Sequence, residues 1–184
     1  METQDAVGIL DNNQFMGGIY SNTLVSDILD GIMDGEGITY FLDDAYASTT
    51  VSGYLPICTK RAALQQLAFA IGALVDTSYD RQLYIYPQQT EVTGEFTTRD
   101  IFLGLTLEHS DIITGIRLYA HSYDPGTETA QLYKGNLTGT TKVEFSEPYH
   151  GLSIAGGTLG DHGANYAYIT GTGGEVVLNG IKYN

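Results

Sequence analysis

The residues of this chain that could do chemistry are twenty-two acids, four histidines and one cysteine among 184 residues. The histidines are His109, His121, His150 and His162, and none falls in an HxH or HExxH spacing. A zinc site therefore cannot be read from them, because those spacings put two imidazoles on one face. Glu108-His109-Ser110-Asp111 and Asp161-His162 have the residue types of a nucleophile triad. No GxSxG turn accompanies them, and neighbours in a strand point to opposite faces, so both read as turns or exposed surface. Tyr149-His150 comes after Pro148 at an expected bend, and His121 is expected on a strand face with Arg117 and Tyr119. Glycoside hydrolysis needs two carboxylates at a set separation, and the absence of any tryptophan argues against a sugar-lined cleft. The run GGTLGDHGAN, 156–165, lacks the GK[ST] ending of a phosphate loop and reads as a mobile surface loop. Cys58 stands alone, which excludes an internal disulfide and a thiolate metal cluster; it reads as a small buried apolar side chain. No residue is assigned a catalytic, cofactor-binding or metal-ligating role, and no enzyme activity is expected.

The elements that position these residues are clearest around 53–87, GYLPICTKRAALQQLAFAIGALVDTSYDRQLYIYP, with its leading Val51. Val51, Gly53, Leu55 and Ile57 alternate with Ser52, Tyr54 and Pro56, the period of a strand with one buried face. Thr59 can cap a helix through its hydroxyl. Leu64, Leu67, Ala68, Ile71 and Val75 recur at helical spacing, and Asp76-Thr77-Ser78 is read as the stop. Leu83 and Ile85 then alternate with Gln82, Tyr84 and Tyr86 in a returning strand ended by Pro87.

Upstream, residues 3–11 are compatible with a short helix or a strand, the helix being favoured, with Thr3 or Asp5 as cap. Residues 12–18 read as a turn with Phe15 and Met16 tucked under. Ser21 or Asn22 is expected to cap a second helix whose stripe is Leu24, Val25, Ile28, Leu29, Ile32 and Met33. Asp27, Asp30 and Asp34 fall on its other face, in a spacing unlike an EF-hand loop, and read as solvated. Ile38, Tyr40 and Leu42 form the next strand, before a turn at Asp43-Asp44. One sheet covered by two helices is the expected arrangement.

After Pro87 the character changes. Residues 88–99 read as a linker or edge strand, and no helix pattern is found beyond them. Strands are expected at 103–107, 116–121, 129–133, 142–146, 152–154, 166–170 and 176–183. Turns fall at Tyr123-Asp124-Pro125-Gly126 and Lys134-Gly135-Asn136. The predicted class is α+β: an α+β layer over 1–89, then an all-β antiparallel sandwich or barrel-like domain over 90–184.

Net charge is −14, shared as −8 over 1–90 and −6 over 91–184. A basic face for nucleic acid is therefore not expected. No apolar run approaches the roughly 20 residues of a membrane span. The first residues lack the basic segment and apolar core of a signal peptide. Both ends are abrupt, which fits a piece of a longer protein. The fourteen tyrosines suit half-buried strand positions or a contact surface. Tyr84 with Tyr86, and Tyr166 with Tyr168, share a face, and one of these pairs is expected to be an interface patch.

GYLPICTKRAALQQLAFAIGALVD, preceded by DAVGILDNNQFMGGIY and DILDGIM, resembles tail proteins of tailed bacteriophages and prophages. TGIRLYAHSYD, KVEFSEPYHGLSIAGG and GEVVLNGIKY resemble the next part of such proteins. The resemblance implies a non-enzymatic building block of a tail hub or baseplate, made in the host cytoplasm and residing in the virion. Its implied partners are other tail proteins and copies of itself. A carbohydrate-binding or adhesion module built on the tyrosine-rich half is the alternative, with a cell-surface glycan as its ligand.

Overall fold

The computed structural model describes residues 5–77, 82–90, 94, 115 and 121–184. The first part contains α1 (Ala6–Ile9), β1 (Gln14–Phe15), β2 (Gly18–Leu24), α2 (Val25–Met33), β3 (Thr39–Leu42), β4 (Thr50–Leu55) and β5 (Cys58–Thr59). It closes with α3 (Lys60–Ile71), β6 (Ala73–Thr77) and β7 (Gln82–Pro87). The last part is β8 (Pro125–Glu144), β9 (Tyr149–Ala155), β10 (Gly157–His162) and β11 (Tyr166–Tyr183). The class is α+β with a C-terminal antiparallel sheet. The strands expected at 103–107 and 116–120 lie outside the described residues, as does most of the 88–99 segment.

Helix α3 is set by its two ends. The Thr59 hydroxyl accepts the Ala62 N–H at 3.2 Å, and Gly72, at φ 68°, donates to the Ala68 and Phe69 carbonyls. The expected helix was longer. Gly72 ends it four residues before Asp76, and Ala73–Thr77 is an extended strand paired with β7. Val75, expected on the helical stripe, packs against the core from β6 instead. Helix α2 buries Val25, Ile28, Leu29, Ile32 and Met33. Leu24 is its N-cap and is exposed, and no side chain caps it. Ser21 and Asn22 belong to β2, where Asn22 sits at φ 52° in a break of the β2–β4 register. Asparagine tolerates that left-handed backbone, and the Ser52 hydroxyl accepts its N–H at 2.9 Å. The favoured helix near the start is present, with Asp5 capping α1 through the Gly8 N–H. Part of the expected 12–18 turn is the short strand β1, paired with β5.

The strands of the first part form three small sheets: β1-β5, β2-β4 and β3-β7-β6. The pair β3-β7 is parallel and β6-β7 antiparallel. One core joins them to α1, α2 and α3, with Leu10, Val25, Ile32, Ala63 and Leu83 fully buried.

The last part is a single antiparallel sheet in which β11 is central. It pairs with β8 along its length and, on its other side, with β10 and then β9. The expected turn at 134–136 is mid-strand in β8, and the two expected closing strands are one strand, β11. Asp124 exchanges backbone hydrogen bonds with Asn184, so 123–126 enters the ladder rather than turning. The glycines that look like stops are bends. A Cβ on Gly171 would stand 3.0 Å from the Val176 side chain, whereas five extended residues would span roughly 16 Å. The sheet therefore folds on itself there, enclosing Ala167, Ile169, Val176 and Leu178 in one cluster. Gly156, at φ 75°, lies where the opposing strand bends, and a Cβ there would meet the Glu175 carbonyl at 2.0 Å.

Candidate functional site

Among the described residues the chemistry-bearing side chains are dispersed. The His162 ring bonds the Gly160 carbonyl at 2.8 Å, while Asp161 accepts from the Tyr166 hydroxyl at 2.9 Å. The run 156–165 is thus largely strand β10 rather than a mobile loop. The His150 ring packs 4.8 Å from the Tyr183 ring. His121 lies in an irregular segment beside Tyr123 and Asp124, lining a small cleft with Tyr20 and Ser52. Glu108, His109, Ser110, Asp111, Arg117 and Tyr119 lie outside the described residues. Cys58 packs partly buried against the first core, and burial pushes its thiol up. Among the described residues no three His, Cys, Asp or Glu side chains group as a metal site. No helix among them is long and apolar enough to cross a membrane.

On α2, Asp27, Asp30 and Asp34 are exposed as expected. Asp30 accepts from the Tyr40 hydroxyl at 2.7 Å. Burial first, and the Asp30 hydrogen bond second, push the Tyr40 phenol up to about 12. Beside them, Lys60 is turned inward at the start of α3. Its ammonium pairs with Glu36 at 2.6 Å and donates to the Asp34 carbonyl. The Lys60 hydrogen bond, helped by Asn13 and opposed by burial, holds the Glu36 carboxyl below its ordinary range. Arg61 pairs with Asp11 at 2.7 Å. These contacts fix the helix start.

The two halves meet at Asn165, which is 1% exposed. Its Nδ2 donates to the Met16 carbonyl at 2.8 Å and the Leu55 carbonyl at 3.0 Å. Two carbonyl acceptors admit only N–H donors, so the amide orientation is forced. Gly17, at φ 62°, lies against the end of β4 within the first half, where a Cβ would stand 2.1 Å from the Leu55 carbonyl. Tyr54 and Tyr123 pack at 5.2 Å near the seam. An open cleft of about 430 Å³ lies alongside, lined by Gln14, Tyr54, Pro56, Ile57, Glu144 and Phe145. Glu144 there is ion-paired with Lys142 at 2.8 Å.

The two tyrosine pairs have different surroundings. Tyr166 and Tyr168 meet edge to face at 6.0 Å, with Asp161 and Lys142 beside Tyr166. Tyr84 and Tyr86 lie on the face of β3-β7-β6 opposite the buried Leu83 and Ile85. The register puts Phe41 and Asp76 beside Tyr84, and Leu74 beside Tyr86. Phe41 is 49% exposed and Leu74 45%. The Asp43 N–H donates to the Ile85 carbonyl, which continues the ladder and puts Asp43 on Phe41's face. This aromatic face is the strongest candidate interaction site among the described residues. Leu74 escapes the sequence reading because the apolar spacing around it is helical; Gly72, as a left-handed stop, was the available signal. Asn165 gave none, being one polar residue in a glycine-rich run.

The chain matches no family model, no curated protein and no solved structure.

Proposed function

We propose that this chain is a non-catalytic building block of a phage or prophage tail, of the hub or baseplate kind, acting by protein–protein assembly. The tail setting rests on the resemblance of the 53–76 stretch and its flanks. The assembly mode rests on one observation: the outward face of β3-β7-β6 carries Phe41, Tyr84, Tyr86 and Leu74. Large apolar side chains grouped on a folded surface are the mark of a contact site. The dispersal of the histidines and acids among the described residues supports a role without catalysis. Its partners in this reading are other tail proteins and copies of itself, and its place is the virion.

Immunogold electron microscopy with antibody to this chain, on an induced culture of the source cells, tests the proposal. Gold at the tips of tail-like particles is the expected result. Gold on the cell envelope beside bare particles overturns it. The second reading, a glycan-binding adhesion module, is favoured by the outward Tyr166–Tyr168 pair with its neighbouring Asp161. A glycan screen with hits lost in Tyr168→Ala would support that reading instead.

A further inference from the structure

Charge, rather than apolar area alone, distinguishes the β3-β7-β6 face. Asp76 and Asp43 flank its aromatic rings. Each turns one oxygen to nearby backbone, Asp76 to the Thr77 N–H and Asp43 to the Ala45 N–H. Among the described residues, no side chain bonds the second oxygen of either. No lysine or arginine among the described residues pairs with them. Lys60, Arg61, Lys134, Lys142 and Lys182 are every lysine and arginine among the described residues, and each is ion-paired with another acid. The rings of Phe41 and Tyr84 lie 6.0 Å apart and tilted by 45°. The Tyr84 hydroxyl is held by Gln82 at 2.9 Å, which fixes the ring.

We infer that this face docks an arginine-bearing surface of a different protein. A guanidinium stacks on an aromatic ring and bonds a carboxylate in the same pose, which a compact ammonium does less well. The side chains needed for that pose, rings between two carboxylates, are adjacent here. A second copy of this chain fits poorly. Its net charge is −14, and pairing like faces would set aspartates against aspartates. The inference rests on the assembly reading and adds to it the surface and the partner's chemistry.

The test titrates the full chain with a fluorescein-labelled peptide, Ac-Arg-Leu-Arg-Leu-Arg-NH2, in 150 mM salt, and compares a lysine version. Expected is tighter binding of the arginine peptide, weakened at least fivefold by Phe41→Ser and by Asp76→Asn. Asp27→Asn with Asp34→Asn, on α2, should change affinity less than twofold. Equal losses in the α2 variant would reduce the effect to general attraction towards an acidic protein and overturn the inference. So would equal affinity for the lysine peptide, or unchanged affinity in both face variants. A concentration-dependent dimer lost in Phe41→Ser would give the face to a second copy. Glycan binding lost in Phe41→Ser would give it to a sugar. Both results overturn the inference. Asp76→Asn removes only a charge from an exposed side chain, so the test survives a folding defect in Phe41→Ser. Gold at tail tips with unchanged peptide affinity would sink the docking face and leave the assembly reading standing.

Discussion

The two halves enclose their cores by different means. Among the described residues of 5–90, three α-helices and three small sheets close around a common interior, and no single strand exceeds seven residues. In residues 121–184, one sheet with strands of up to twenty residues bends over itself. The first core depends on side chains that fit between elements. The second depends on glycines where the backbone must fold sharply. The difference teaches where a substitution should hurt: at packed or paired side chains in the first half, at bend glycines in the second.

The largest expected effect is in the first half. Lys60→Met should destabilise by about 4 kcal/mol, because it leaves Glu36 in place without its cation. The pH dependence sharpens this. The Glu36 carboxyl is lowered in the folded chain, so its stabilisation is in full force above its ordinary value of 4.5. It is lost as pH falls through the lowered folded value. Urea melts of both chains from pH 7 downward should converge at acid pH; a constant gap would contradict the pairing.

Next, Gly156→Ala should cost about 3 kcal/mol, through its positive φ and the close Glu175 carbonyl. Hydrogen exchange read by mass spectrometry should show the loss across β8–β11 while α2 and α3 keep their protection. Uniform loss would break the comparison. Asn165→Ala should cost about 2 kcal/mol by deleting two hydrogen bonds to buried carbonyls. It alone should uncouple the halves, seen as a single thermal transition splitting in two. Smallest is Phe41→Ser, within about 0.5 kcal/mol in a thermal melt, since the ring is half exposed.

The sequence was most legible where side-chain period and burial coincide. Leu83 and Ile85 in β7, and the Val25 to Met33 stripe of α2, lie buried as their spacing predicts. Thr59 caps α3 as its type predicts. Legibility failed where glycine has two meanings. Gly72 is a helix stop inside an apolar run, so the pattern of Ala73–Thr77 is helical while its structure is a strand. Gly135, Gly171 and Gly174 have the look of strand ends, yet the strands run on through them. Asn22 resembles a cap because asparagine suits both a cap and a left-handed bulge residue. At the candidate site, the Tyr84–Tyr86 pairing was visible from its spacing. Phe41 and Leu74 were not, because their nearness to that pair depends on strand order, which one strand's pattern does not contain.

The measurement that tests the assembly claim most directly is zero-length carbodiimide cross-linking of purified tail particles from the source cells, read by mass spectrometry. The account predicts this chain among the particle proteins, with Asp43 or Asp76 linked to a lysine of a different tail protein beside the docked arginine. Particles without this chain would contradict it.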